Sequence, residues 1–278
     1  MKRIYFSAIL IVIYLLGAFF ADLNAKEKTP MEISEIVFGN SGFDYTEILP
    51  FCCEMHEVNF RDSSLGQMLP PQTERKYSLL FQNDTMAVVA ISFSLAGDYQ
   101  DFYAYFIKLD NWHIETMRTL VKTDVIRMAL SDIEKLSPDE ALKVIEKSGY
   151  DDLDKYIRRI KLLLSSDSNI EQYFNDNRIQ FQKIADYISK EKNLKSSDDI
   201  IKLNTDDFIK SSLKTLLIDK IVPAEEDGEF IGFLIGGLID NTAGYFYQPD
   251  NQKVPTISKD LYIMIKPLGN GWYMFKTT

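Results

Sequence analysis

The densest group of reactive side chains in the sequence is Cys52-Cys53-Glu54-Met55-His56. A thiolate nucleophile needs a nearby base to lower its pKa, and His56 follows the thiols at helical spacing. On a helix that spacing sets a thiol beside the imidazole; on a strand it does not. No glycine-rich elbow or aromatic signature of the papain type surrounds the pair. Buried structural thiols are therefore the expected role of Cys52 and Cys53. The alternatives are a strained bridge between the adjacent cysteines and an extracytoplasmic thiol-dependent hydrolase that uses His56.

Acidic runs at Asp151-Asp152, Asp198-Asp199, Asp206-Asp207 and Glu225-Glu226-Asp227 could suggest calcium. None alternates its ligands around a central glycine with a closing glutamate, as a calcium loop requires. Three of the four precede an apolar run, where capping of a helix or strand explains them. With 2 cysteines and 2 histidines in the chain, no metal site and no cofactor are expected, and no residue is assigned a catalytic role.

The aromatic strands offer a different chemistry. Tyr245 and Tyr247 share one face of their strand, opposite Phe246, and Trp272 and Met274 oppose Tyr273 and Phe275. In the segment from Leu261 to Lys266, strict alternation sets Leu261, Ile263 and Ile265 against Tyr262 and Met264. A sheet with one wet face alternates apolar with polar residues, whereas here both faces are apolar. Something must cover the second face: another layer of the chain or an external ligand. Tyrosine suits a binding surface, having an apolar body and a polar tip. Tyr245, Tyr247, Tyr262 and Tyr273 are therefore the candidate binding residues.

The elements that must position these groups fall in three blocks. Residues 26 to about 75 read as irregular with short elements, punctuated by Pro30, Pro50, Pro70 and Pro71. Tyr77–Phe81, Met86–Phe93, Phe102–Leu109 and Trp112–Leu120 are rich in aromatic and β-branched residues and form an antiparallel meander. From Val121 the period becomes helical. Ser137-Pro138-Asp139-Glu140 is a helix start, Asp151–Leu164 and Ile170–Ile188 carry apolar faces, and Asp206–Ile218 reads as a further helix. Strands return at Phe230–Ile239, Tyr245–Tyr247, Leu261–Lys266 and Trp272–Lys276, with turns at Asn241-Thr242 and Asn270-Gly271. An Asn-Gly turn fixes hairpin register, so Trp272 and Met274 should point at the helices bearing Phe174, Phe181 and Ile184.

The fold class is thus α+β, with antiparallel β-meanders flanking a helical middle. Asp101-Phe102-Tyr103 and Asn111-Trp112 parallel Asp260-Leu261-Tyr262 and Asn270-Gly271-Trp272, an internal repeat of weak specificity. Helices followed by a meander whose last strand begins with Trp are similar in element order to the cystatin-like and NTF2-like architectures. The resemblance implies two lobes of helix on sheet and carries no functional residues. The chain divides into residues 1–25, a strand-rich lobe at 26–130, and a helical segment with the C-terminal meander at 131–278.

Lys2 and Arg3 precede an uncharged run from Ile4 to Ala21, the pattern of a signal peptide or a membrane anchor. The expected location is periplasmic or extracellular, or else anchored by residues 4–21, with membrane contact only through that segment. The net charge of −10 opposes binding to nucleic acid. The function expected is a non-enzymatic cell-envelope module that binds a protein or small-molecule partner through its aromatic sheet face. An inhibitor or immunity-type protein, steering a basic partner by its charge, is a further alternative.

Overall fold

The computed structural model describes residues 27–40, 51, 65–120, 123–147, 149–191, 197–223 and 230–278. The N-terminal segment 1–25, the Cys52, Cys53 and His56 cluster and the Glu225-Glu226-Asp227 run lie outside the described residues.

The first element is one of the short elements of the N-terminal block. Helix α1 spans Pro30–Phe38. Thr29 Oγ1 accepts the Glu32 amide at 3.2 Å, and the Glu32 carboxylate accepts the Thr29 amide at 2.7 Å, a reciprocal capping box with Pro30 at the first helical position. Its buried face, Ile33, Val37 and Phe38, lies on the first sheet.

That sheet is the expected meander: β1 Glu74–Gln82, β2 Met86–Leu95, β3 Asp98–Lys108 and β4 Trp112–Arg118, antiparallel and adjacent in chain order. Alternation divides β2 and β3 cleanly. Ala87, Val89, Ile91, Ala104 and Phe106 meet α1, while Val88, Ala90, Tyr103 and Tyr105 point the other way into the main core.

The helical block comprises α2 Thr123–Glu134, α3 Pro138–Glu146, α4 Leu153–Leu163, α5 Asp167–Glu191, α6 Ser197–Lys202 and α7 Asp207–Thr215. The helix start expected at Ser137 opens α3, where the Glu140 carboxylate accepts from the Ser137 amide and hydroxyl, and Asp152 and Asp206 cap α4 and α7 through their carboxylates.

The second sheet contains β5 Lys220–Pro223, β6 Ile231–Leu238, β7 Asn241–Tyr247, β8 Met264–Gly269 and β9 Trp272–Lys276, in the order β5-β6-β7-β9-β8. The mixture of helices with purely antiparallel sheets is the α+β class. The two sheets differ in strand order, however: the last strand lies inside the second sheet, whereas β4 is an edge of the first. Asp260-Leu261-Tyr262 also precedes β8 instead of lying in a strand, unlike Asp101-Phe102-Tyr103 in β3.

Asn270 and Gly271 both have positive φ, 55° and 77°, as the two central residues of a type I′ turn must. A Cβ on Gly271 would sit 2.9 Å from Pro249 Cα, and its carbonyl accepts the Gln248 amide at 2.8 Å. Gly271→Ala should therefore cost more than the ~1–2 kcal/mol of a left-handed L residue alone, read as a shifted urea midpoint.

The other hairpin departs from expectation. Its turn is Ile239-Asp240, two residues before Asn241-Thr242, with Leu238 opposite Asn241. A β-branched residue is a poor choice for positive φ, yet Ile239 has φ 58°. The C-terminus supplies the constraint: Thr277 Oγ1 donates to the Asp240 carbonyl and accepts the Thr242 amide.

One hydrophobic cluster draws on both sides of residue 130. It joins Tyr103 and Tyr105 of the first sheet, Ile126 and Leu130 of α2, Phe174 and Phe181 of α5, and Tyr245, Trp272 and Met274 of the second sheet. Tyr105 donates to the Ile263 carbonyl at 3.0 Å, and Arg118 to the Lys259 carbonyl at 2.7 Å, so polar bonds also link the first sheet to the approach to β8.

Candidate functional site

The four candidate tyrosines do not form one surface. Tyr245 is wholly buried and donates to the Ile170 carbonyl of α5 at 2.8 Å. Tyr247 is half-buried against Trp272, with ring centroids 5.1 Å apart. Tyr262 and Tyr273 belong to the opposite side of the sheet. Tyr262 is buried beside Phe230, and Tyr273 stacks on Phe246 and donates to Asn251 Oδ1 at 2.8 Å. The second apolar face is covered from within the chain: Phe230, Val254, Leu261 and Tyr262 pack over Phe246, Ile265 and Phe275. Tyr245 and Tyr262 thus lie in the interior.

The expected alternation also breaks ahead of β8. Leu261, Tyr262 and Ile265 share one side, while Ile263 and Met264 share the other. The strand begins only at Met264, and the Ile263 amide bonds back to the Leu261 carbonyl at 3.2 Å, a tight turn that cancels the period-two rule.

The acidic runs that are described serve the helices. Asp152 and Asp206 are caps, and Asp151 pairs with Lys214 at 2.7 Å. No group of three His, Cys, Asp or Glu among the described residues is placed to hold a metal ion.

A cleft of about 210 Å³ opens between α2, α4 and the end of β6. Its aliphatic walls are Ile126 and Leu130 of α2, Ile160 and Leu163 of α4, and Leu238 of β6. At its polar end stand Arg159, Asp219, Tyr150 and Tyr156. A smaller space of about 40 Å³, lined by Asp151, Lys155 and Lys214, shares Tyr150, Tyr156 and Arg159 as its border.

Arg159 organises this end. It sits on the buried side of α4, with Nη1 2.6 Å from Asp219 Oδ1 and 3.4 Å from the Ile235 carbonyl. Its guanidinium lies over the Tyr150 ring at 4.3 Å and the Tyr156 ring at 5.5 Å, and the two rings meet edge to face at 4.9 Å. Tyr150 donates to the same Asp219 oxygen. Burial pushes the Tyr150 hydroxyl well above its ordinary pKa and the Asp219 hydrogen bond adds to the rise, outweighing the charge and hydrogen bond of Arg159 that oppose it, so the group remains a neutral donor. Arg159 Nε, in contrast, is buried with no hydrogen-bond partner.

The backbone of β6 makes room for the guanidinium. A bulge at Ile235 shifts the β6–β7 register and brings that carbonyl toward Arg159. Gly237 follows because a Cβ there would lie 2.2 Å from the Asn241 carbonyl oxygen.

Neither Arg159 nor Asp219 was singled out by sequence reasoning. A signal was present: Arg159 falls three residues after Tyr156 and four before Leu163, on the apolar stripe of its helix. The Gly236-Gly237 pair within a strand is a second, since interior strand glycines mark bulges.

A separate polar cluster lies in the core. Lys276 Nζ is 2.7 Å from Asp167 Oδ1 and 3.5 Å from Asp101 Oδ2. Asp167 accepts from the Tyr103 hydroxyl at 2.8 Å, and Asp101 from Ser92 and from the Asp167 amide. Burial raises the Asp101 pKa, with the neighbouring Asp167 charge adding to it, while Lys276, Ser92 and the Asp167 amide oppose the rise. Closed off from solvent, this cluster ties β3, α5 and β9 together.

Comparison with protein-family models, with curated proteins and with solved structures finds no match. Fold and site therefore define the protein by themselves: an α+β chain of two antiparallel sheets around shared helices, with a cleft that is aliphatic along its walls and polar at one end.

Proposed function

We propose that the protein is an exported, non-enzymatic binding module of the cell envelope whose ligand occupies the Arg159 cleft. Export rests on the basic start and the uncharged run from Ile4 to Ala21. One observation carries the binding reading: mostly apolar walls converge on a few ordered polar groups, the usual composition of a small-molecule site. The aromatic sheet face is a weaker candidate, because the chain's own segment fills it.

The volume bounds the ligand. A dry apolar cavity of about 150 Å³ holds one benzene ring, so a cleft of about 210 Å³ takes a ring or short branched chain with a small head group. Toluene is the neutral probe. Saturation-transfer NMR should detect its binding to the full-length protein, and Ala129→Trp, which fills the cleft from an exposed wall position, should abolish it without lowering the melting temperature. Equal binding by both proteins would remove the cleft from the reading. Cell fractionation should recover the protein outside the cytoplasm.

A further inference from the structure

We infer that the cleft selects a small organic acid, its carboxylate meeting Arg159 and its apolar body lying between α2 and α4; this deepens the binding reading above and rests on it. The argument is an inventory of donors and acceptors. A guanidinium carries five N–H donors and accepts nothing. Arg159 Nη1 bonds to Asp219 and distantly to Ile235, the guanidinium also donates to the Tyr150 hydroxyl, and buried Nε has no partner. A buried cation with unmet donors is costly, and an incoming acceptor relieves it.

Arg159 is also held ready. Two tyrosine rings, a β6 carbonyl and Asp219 fix its plane, so binding would order little that is not already ordered. A planar carboxylate matches the guanidinium fork better than any other small head group of its size. Tyr150, kept protonated, adds no competing negative charge. Among the described residues that line the cleft, the opposing charge is Asp219, which already takes one arm of the guanidinium. An amine would have to bind beside Arg159 with only Asp219 to receive it, and a neutral alcohol would accept one hydrogen bond without neutralising the cation or matching its fork.

The site is local in its electrostatics. The chain's charge of −10 repels anions at a distance, and salt screens that repulsion beyond roughly 10 Å, so discrimination arises at contact.

The test uses three probes that share a phenyl ring: phenylacetate, 2-phenylethanol and 2-phenylethylamine, titrated into the full-length protein by NMR at neutral pH. Phenylacetate is expected to bind at least about tenfold more tightly than the other two, the scale of a hydrogen bond to a charged group. Arg159→Gln should erase that preference, with circular dichroism reporting whether the fold persists. Asp219→Asn keeps a hydrogen-bonding side chain but frees the guanidinium of its internal counter-ion, and should tighten phenylacetate severalfold. This second variant decides the matter if Arg159→Gln does not fold, because a merely structural Arg159–Asp219 pair would give no gain. Binding of toluene with no preference for phenylacetate overturns the acid assignment and leaves the cleft reading standing. A preference for the amine overturns the assignment in favour of Asp219, and failure of all the probes, toluene included, overturns both.

Discussion

Replacing Trp272 by Ala should lower stability by about 3–5 kcal/mol, a large share of the 5–15 kcal/mol that holds a typical domain folded. Trp272 is 1% exposed. Its ring meets Phe174 at 5.2 Å, Phe233 at 5.3 Å and Phe181 at 5.7 Å, and its Nε1 donates to Gln182 Oε1 at 2.8 Å. Truncation thus removes the hub of an aromatic cluster and leaves a buried space that α5, pinned at its N-terminus by Asp167, cannot close. It also leaves the Gln182 carbonyl without its partner. Tyr273→Ala, one residue along on the opposite face, should cost much less. That side chain is half-buried, stacks on Phe246 at 4.8 Å and keeps its hydroxyl at the exposed Asn251. Melting temperatures and urea midpoints of the two variants decide the ranking; a Tyr273→Ala variant that is the less stable would contradict this account of the core.

The facing of Trp272 was legible because its cause is local. Asn270-Gly271 admits one kind of turn, the turn sets the register, and the register sends Trp272 and Met274 to the helices. Where the controlling contact is distant, the sequence is silent. Ile239 sits in a turn that Thr277 enforces from the far end of the chain, so the dipeptide Asn241-Thr242 looked the better candidate. Leu261 to Ile263 alternates like a strand but bends, because the segment must cross the sheet face it covers.

Helix α1 is a different case. Thr29-Pro30-Met31-Glu32 repeats the chemistry of Ser137-Pro138-Asp139-Glu140: a hydroxyl cap, a proline at the first position and a glutamate reaching back. The second was read as a helix start and the first was not, because the proline-rich surroundings of α1 masked a nine-residue helix that gains its stability from the sheet beneath. The cleft falls between these cases. Arg159 on an apolar stripe and two adjacent strand glycines are visible in the sequence, but only the α4–β6 packing shows that they meet.

Lys276→Met should cost about 3–5 kcal/mol at neutral pH, the usual consequence of removing one partner from a buried ion pair. The side chain is buried, and it is the cation between Asp167 and Asp101. Methionine fills much the same volume, so the loss is electrostatic: two carboxylates would face each other across an apolar core. The pH dependence separates this from packing. Burial alone would lower the Lys276 pKa, but Asp167 and Asp101 more than reverse the effect and hold it above the ordinary 10.5. A raised folded value means that the stabilisation is complete below pH 10.5 and is lost as pH rises through the folded pKa. On the acid side Asp101 is raised above 3.8, chiefly by burial and then by Asp167, so it takes up its proton early as pH falls and the repulsion left by the mutation weakens. The stability gap between wild type and Lys276→Met, read from urea unfolding between pH 4 and 11 (roughly the span over which these two groups titrate), should therefore be widest in the middle and narrow at both ends. A purely steric role for the lysine would give a gap that does not change with pH, because a lost packing contact carries no proton.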